Sequence, residues 1–161
     1  MAMRRKRGTA QADTETAAGY SSPACYRHEF QPPAAGRRGV AIKRVYAPPD
    51  SADGYRVLID RLWPRGLSKQ RAALDEWLVD LAPSAALRTW FHHDLTRFPE
   101  FSRRYRAELR AQTPLLQQLR ARARQQRVTL LYGARDPRAN HAVVLRDVLR
   151  RSSSAKRARA Q

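Results

Sequence analysis

Two short stretches hold the side chains best suited to chemistry: Arg61-Leu-Trp-Pro-Arg-Gly66, and Tyr132-Gly-Ala-Arg-Asp-Pro137 with Asn140-His141 just behind it. Arg61, Arg65 and Arg135 carry permanent charge on a planar fork that grips phosphate or carboxylate through paired hydrogen bonds. Gly66 lets backbone approach a ligand, while Trp63 and Tyr132 offer faces for a planar group such as a base. His141 can donate, accept or shuttle a proton near neutral pH, with Asp136 or Asp94 as its carboxylate partner. Plainer roles compete at each position. Trp63-Pro64 suits a tight hydrophobic turn, Asp60 and Arg61 can form an ion pair, and a partly buried His141 can bond a loop carbonyl.

His92-His93-Asp94 adds two imidazoles and a carboxylate. Adjacent histidines at a helix end cannot share one metal ion without a third ligand, and no His-Glu-x-x-His spacing occurs. No metal is expected there, and Asp94 either orients a histidine or caps the segment after it. Gly-x-Gly-x-x-Gly, Walker and Gly-x-Ser-x-Gly patterns are also missing, which argues against the common nucleotide loops and serine hydrolases. The only cysteine, Cys25, stands far ahead of these stretches. That excludes an intramolecular disulfide, a cysteine zinc site and a thiol nucleophile in the domain, and it fits a reducing, cytoplasmic compartment. No cofactor is implied.

The elements that must position these groups lie in the middle and C-terminal parts of the chain. Ala41–Tyr46 and Tyr55–Asp60 are short β-branched runs separated by a turn-forming Pro-Pro-Asp-Ser-Ala-Asp-Gly connection, which predicts two strands. Alternation from Trp77 to Ala82 fits a third short strand, although a helix beginning near Ser68 is an alternative. Ser84 caps a helix through Leu87, Trp90 and Phe91, and the spacing of Phe101, Tyr105 and Leu109 gives one apolar stripe to the next. Thr113 and Pro114 mark a further helix start, with Leu115, Leu119 and Ala123 inside and Arg120, Arg124 and Arg127 facing out. Val128–Tyr132 reads as a buried strand, followed by a loop and a helix over about Arg138–Arg150, on whose first turn His141 points inward. The expected fold is α/β: a sheet of about four strands flanked by helices in a single domain. Ligands of such sheets settle at the carboxyl ends of the strands, where both reactive stretches fall.

Residues 1–39 and 152–161 lack an apolar period and read as disordered basic tails around a domain at 40–151. The net charge of +18 divides as +4 over residues 1–38, +10 over 39–150 and +4 over 151–161. So spread, it leaves nucleic-acid binding as the less favoured partner and a small anionic ligand as the favoured one. No apolar run approaches a membrane span, and no signal core follows the basic start.

Lys43-Arg-Val-Tyr46, Asp53–Gly66, Ala82-Pro-Ser84, Leu87–Phe91, His93-Asp94, Leu130–Asp136 and Asn140-His-Ala142 together carry a family likeness. In this order, over about Ile42–Leu149, the chain resembles the YeaO-like branch of domain-of-unknown-function family 488. The resemblance implies a small Rossmann-like, bacterial, cytoplasmic protein and supplies no activity. A longer branch of that family carries Cys at the position of Tyr132, Glu at that of Ala134, and a Cys-His pair where Asn140 and His141 stand. This chain departs there, so no thiol mechanism carries over. The functional expectation is an enzyme or enzyme-like binder of a small, possibly nucleotide-like anion at the strand-end cleft. A basic nucleic-acid-binding module and a structural or interaction protein without catalysis are the alternatives.

Overall fold

In three runs of the sequence, apolar side chains alternate with a second set: Val40 and Ile42, Val57 and Ile59, and Val128, Leu130 and Tyr132. Period-two alternation sends the two sets to opposite faces of a sheet. The computed structural model describes residues 38–158, with side chains through Arg151, and contains such a sheet. Its strands are β1 (Gly39–Arg44), β2 (Tyr55–Leu58), β3 (Glu76–Trp77) and β4 (Arg127–Tyr132), all parallel, in the order β1-β4-β2-β3. The last strand inserts between the first two and is buried from Val128 to Tyr132, because both faces are covered. The Rossmann-like α/β class is therefore correct. The tail readings for residues 1–37 and 159–161 lie outside the described residues; of the rest of those stretches, Gly39 opens β1 and residues 152–158 continue the last helix, which runs over His141–Ala158.

On one face Val57, Ile59, Val128 and Leu130 pack under α2 (Ala85–Phe91), α3 (Phe98–Leu109), α4 (Thr113–Gln125) and α5 (His141–Ala158). Phe91, Phe101, Tyr105, Leu119 and Leu145 are the main contributors from those helices. The other face carries a smaller cluster of Val45, Leu58, Leu67, Leu74 and Leu131, with the one-turn α1 (Lys69–Ala72) and Trp63 set edge-on to Trp77.

Parallel strands usually need a dozen or more residues and a helix to connect them. Here residues 45–54 suffice, by way of a 3-10 turn at Ser51–Asp53. Buried Asp53 holds that return in place. Its carboxylate pairs with Lys43 at 2.8 Å and with buried Arg56, while its carbonyl accepts the Thr129 hydroxyl at 2.6 Å. Arg56 also donates to the carbonyls of Ala72 and Ala73, which ties the crossover to α1. Gly54 turns the chain at φ 64°, and a Cβ there would collide with the Arg127 carbonyl.

Four expectations need correction. The strand expected over Trp77–Ala82 stops at Trp77, because local bonds from Leu81 to Leu78 and from Ala82 to Val79 turn Val79–Leu81 into a 3-10 helix. The alternative helix after Ser68 does form, but Ala73 at φ 45° ends it after one turn. Thr113 stands inside α4 and bonds back to the Arg110 carbonyl, which leaves Gln112 as the flanking residue. Arg120 turns inward, donating to the Val148 carbonyl of α5 at 3.1 Å, and Arg127 belongs to β4. Ser84 caps α2 as expected, accepting from Leu87 at 3.1 Å and donating to Glu108 of α3 at 2.6 Å.

Candidate functional site

β2 and β4 lie side by side, yet their chains leave toward opposite faces of the sheet. After β2 the chain turns into the smaller cluster through Trp63 and Leu67; after β4 it climbs into α5 on the larger one. Connections that part at the carboxyl ends of parallel strands open a crevice between them. A cleft of about 500 Å³ occupies this place, with residues from both strand-end loops, α2 and the first turn of α5 around it.

Asp60, just past β2, links the two sides. One carboxylate oxygen accepts the Gly133 N–H at 2.6 Å, and the other stands 3.1 Å from His141 Nε2. That second contact lies within ion-pair reach but off the line of a hydrogen bond, so buried Nε2 has no hydrogen-bond partner among the described residues. The backbone of Asp60 is fixed as well, since its carbonyl accepts the Trp77 indole N–H at 2.7 Å. Gly133 is required by this approach: a Cβ there would stand 2.8 Å from the Asp60 carboxylate. His141 opens α5 because Asn140 caps it, accepting the Val143 N–H at 3.1 Å while its amide donates to the Asp136 carbonyl. The imidazole packs edge-on to Tyr105 and is only 11% exposed.

Around this link the cleft is basic. Arg61 and Arg88 line it with their guanidinium groups exposed, and His92 and His93 stand where α2 ends. Both histidines have left-handed backbone, φ 40° and 58°, an uncommon conformation outside glycine. The start of α5 adds partial positive charge. Among the described residues Asp60 is the only carboxylate in the lining, and Gly133 already engages it.

Of the expected residues, Arg61, Asn140 and His141 meet at the cleft. Trp63 does not line it; its indole N–H bonds the Leu67 carbonyl at 2.7 Å on the other face of the sheet. Arg65 is exposed, with its carbonyl accepting from Tyr46, and Gly66 turns the same loop at φ 70°. Tyr132 is buried in the larger core, where burial raises its phenol pKa. Asp136 accepts the N–H groups of Ala139 and Arg138, which lower its pKa, and Arg135 projects into solvent beside it. Asp94 caps the turn at Thr96, whose hydroxyl and N–H lower its pKa. Asp60, Gly133 and Arg88 were missed as site residues, and His92 and His93 were weighed only as metal ligands. The signal for Asp60 and Gly133 was their position directly after buried strands; Arg88, on the exposed face of α2, gave none.

A family model described as the inactive DUF488-N3 subclade matches residues 39–161. Among curated proteins, the uncharacterised protein YeaO of Escherichia coli is 45% identical over 111 residues, covering 69% of this chain and 96% of YeaO. The uncharacterised proteins Mb3100c of Mycobacterium bovis and Rv3073c of Mycobacterium tuberculosis are each 41% identical over 110 residues, covering 68% of this chain and 92% of theirs. No solved structure matches. Motifs, fold and relatives agree, and the chain belongs to the YeaO-like proteins of the DUF488 family, within its inactive DUF488-N3 subclade.

Proposed function

We propose that the chain binds a small anionic ligand, of nucleotide or phosphorylated-metabolite size, in the cleft between β2 and β4, and does so without turning it over. The observation that carries this reading is the charge of the cleft. Arg61, Arg88 and the start of α5 converge where the single carboxylate, Asp60, is already engaged by Gly133. Arg61 and Arg88 grip the anionic group, while His92 and His93 supply ring faces for a planar part. His141 holds its unbonded Nε2 against Asp60 and orients the floor of the cleft. Binding without catalysis is favoured by the description of the subclade as inactive and by the structural work of Tyr132 and Asn140, which are committed to the core and to the α5 cap.

The test is thermal unfolding with a panel of nucleotides, phosphorylated sugars and carboxylates. A ligand present at about 100 times its Kd adds about 2.7 kcal/mol. Arg61→Gln combined with Arg88→Gln removes that stabilisation and leaves the unliganded Tm near wild type, because both side chains are exposed. If no ligand in the panel stabilises the protein, or if the double variant responds like wild type, the reading is wrong.

A further inference from the structure

At the opposite end of the sheet, where β1 and β4 begin, a second cavity of about 290 Å³ is lined by Arg38, Arg120, Arg124, Arg127 and Arg150, with no carboxylate lining it among the described residues. The five guanidinium-bearing residues come from separate parts of the fold: the residue before β1, α4, the start of β4, and α5. Two are fixed by the fold, Arg120 on the Val148 carbonyl and Arg150 on the Val40 carbonyl at 2.9 Å. Arg120 Nε is nonetheless buried without a hydrogen-bond partner among the described residues. Burial, and then the charge of Arg124, lowers the pKa of Arg120 from its ordinary value. Like charges gathered in a concavity, one with an orphaned donor, are costly unless an anion fills it.

We propose that this arginine pole is a docking site for the phosphodiester backbone of a nucleic acid, separate from the cleft at the other end of the sheet. A polymer of phosphates is favoured over a single phosphate by how the chain enters and leaves. Arg38 ends a segment, residues 1–38, with 7 Lys and Arg against 3 acids. Arg150 precedes another, residues 151–161, with 4 against none. Both basic segments are thus joined to the domain at residues that line this cavity, Arg38 and Arg150, and their sequence charge favours a polyanion over a single phosphate. Recognition through guanidinium and phosphate alone carries no base sequence.

The experiment is fluorescence anisotropy of the full-length chain with a labelled single strand of about 20 nucleotides, from about 50 to 200 mM salt. Arg124 and Arg127 have no structural bond through their guanidinium groups among the described residues. Arg124→Gln with Arg127→Gln should therefore leave the thermal midpoint intact and weaken binding by about tenfold or more. The dependence of log affinity on log salt should fall by about 1.4, at about 0.7 for each single-strand phosphate that is no longer neutralised. Arg106→Gln with Arg110→Gln, which removes the same charge from α3 and from the 3-10 turn directly after it, should change affinity by less than about twofold. Equal weakening in the two double variants would make the binding a bulk-charge effect and overturn the proposal. So would wild-type affinity in the pole variant, absence of oligonucleotide binding at low salt, or binding of pyrophosphate alone.

Discussion

Asp60 closes three distances at once: to Gly133, to His141, and through its carbonyl to Trp77. Replacing it with Asn keeps the shape but removes the negative charge that an anionic ligand would face, and should strengthen the ligand-dependent rise in melting temperature more than it lowers stability. Gly133→Ala tests the same contact sterically. Its Cβ displaces the Asp60 carboxylate and leaves a part-buried N–H without that partner, at a cost of about 1 kcal/mol in urea unfolding. A stability equal to wild type would mean that the contact is not formed. Little of this link was legible in the sequence. Asp60 and Gly133 are 73 positions apart, and only the insertion of β4 beside β2 brings them together. His141 was legible as inward-facing because helical periodicity is local; its partner was not, because Asp136 and Asp94 are nearer in sequence or motif yet satisfy their own turns.

Among the elements, the short crossover from β1 to β2 is tied to both strands and to β4 through Asp53. Burial pushes the Asp53 carboxyl up, but the hydrogen bond from Lys43, the Asp50 N–H and the charges of Arg56 and Lys43 outweigh it, and the net pKa is lowered. Asp53→Asn leaves buried Arg56 without its counter-charge and should cost about 3–5 kcal/mol at neutral pH. A carboxylate whose folded pKa is depressed stabilises the protein fully above its ordinary pKa near 4, and that contribution is lost as pH falls through the lowered value. The gap between wild type and Asp53→Asn should accordingly narrow below about pH 4. A gap that persists unchanged into acid would assign the effect to shape instead of charge. Ser84→Ala tests the α2 cap, with about 1 kcal/mol expected. The Ser84 cap and the runs of β1, β2 and β4 were readable because each depends on neighbouring residues. β3 was overextended because the alternation from Trp77 to Ala82 satisfies a strand pattern, while the 3-10 turn and the Tyr105 hydroxyl bonding the Leu81 carbonyl are set by the packing of α3.

For the whole molecule, β4 is the centre of both cores, pairing with β1 and β2 and buried on both faces. Its amides should exchange with solvent slowest, and those of β3 and α1, at the far edge of the sheet, much sooner. The charge of +18 is not a uniform coat: one basic cleft lies at the carboxyl ends of the strands and one arginine cavity at their amino ends. Amide chemical-shift mapping separates these poles in a single titration. The small anion that most raises the melting temperature should move the signals of Gly133, His141 and Ala142 and leave Gly39 and Arg127 in place. Movement confined to Gly39 and Arg127, or none near Gly133, would contradict a ligand site between β2 and β4.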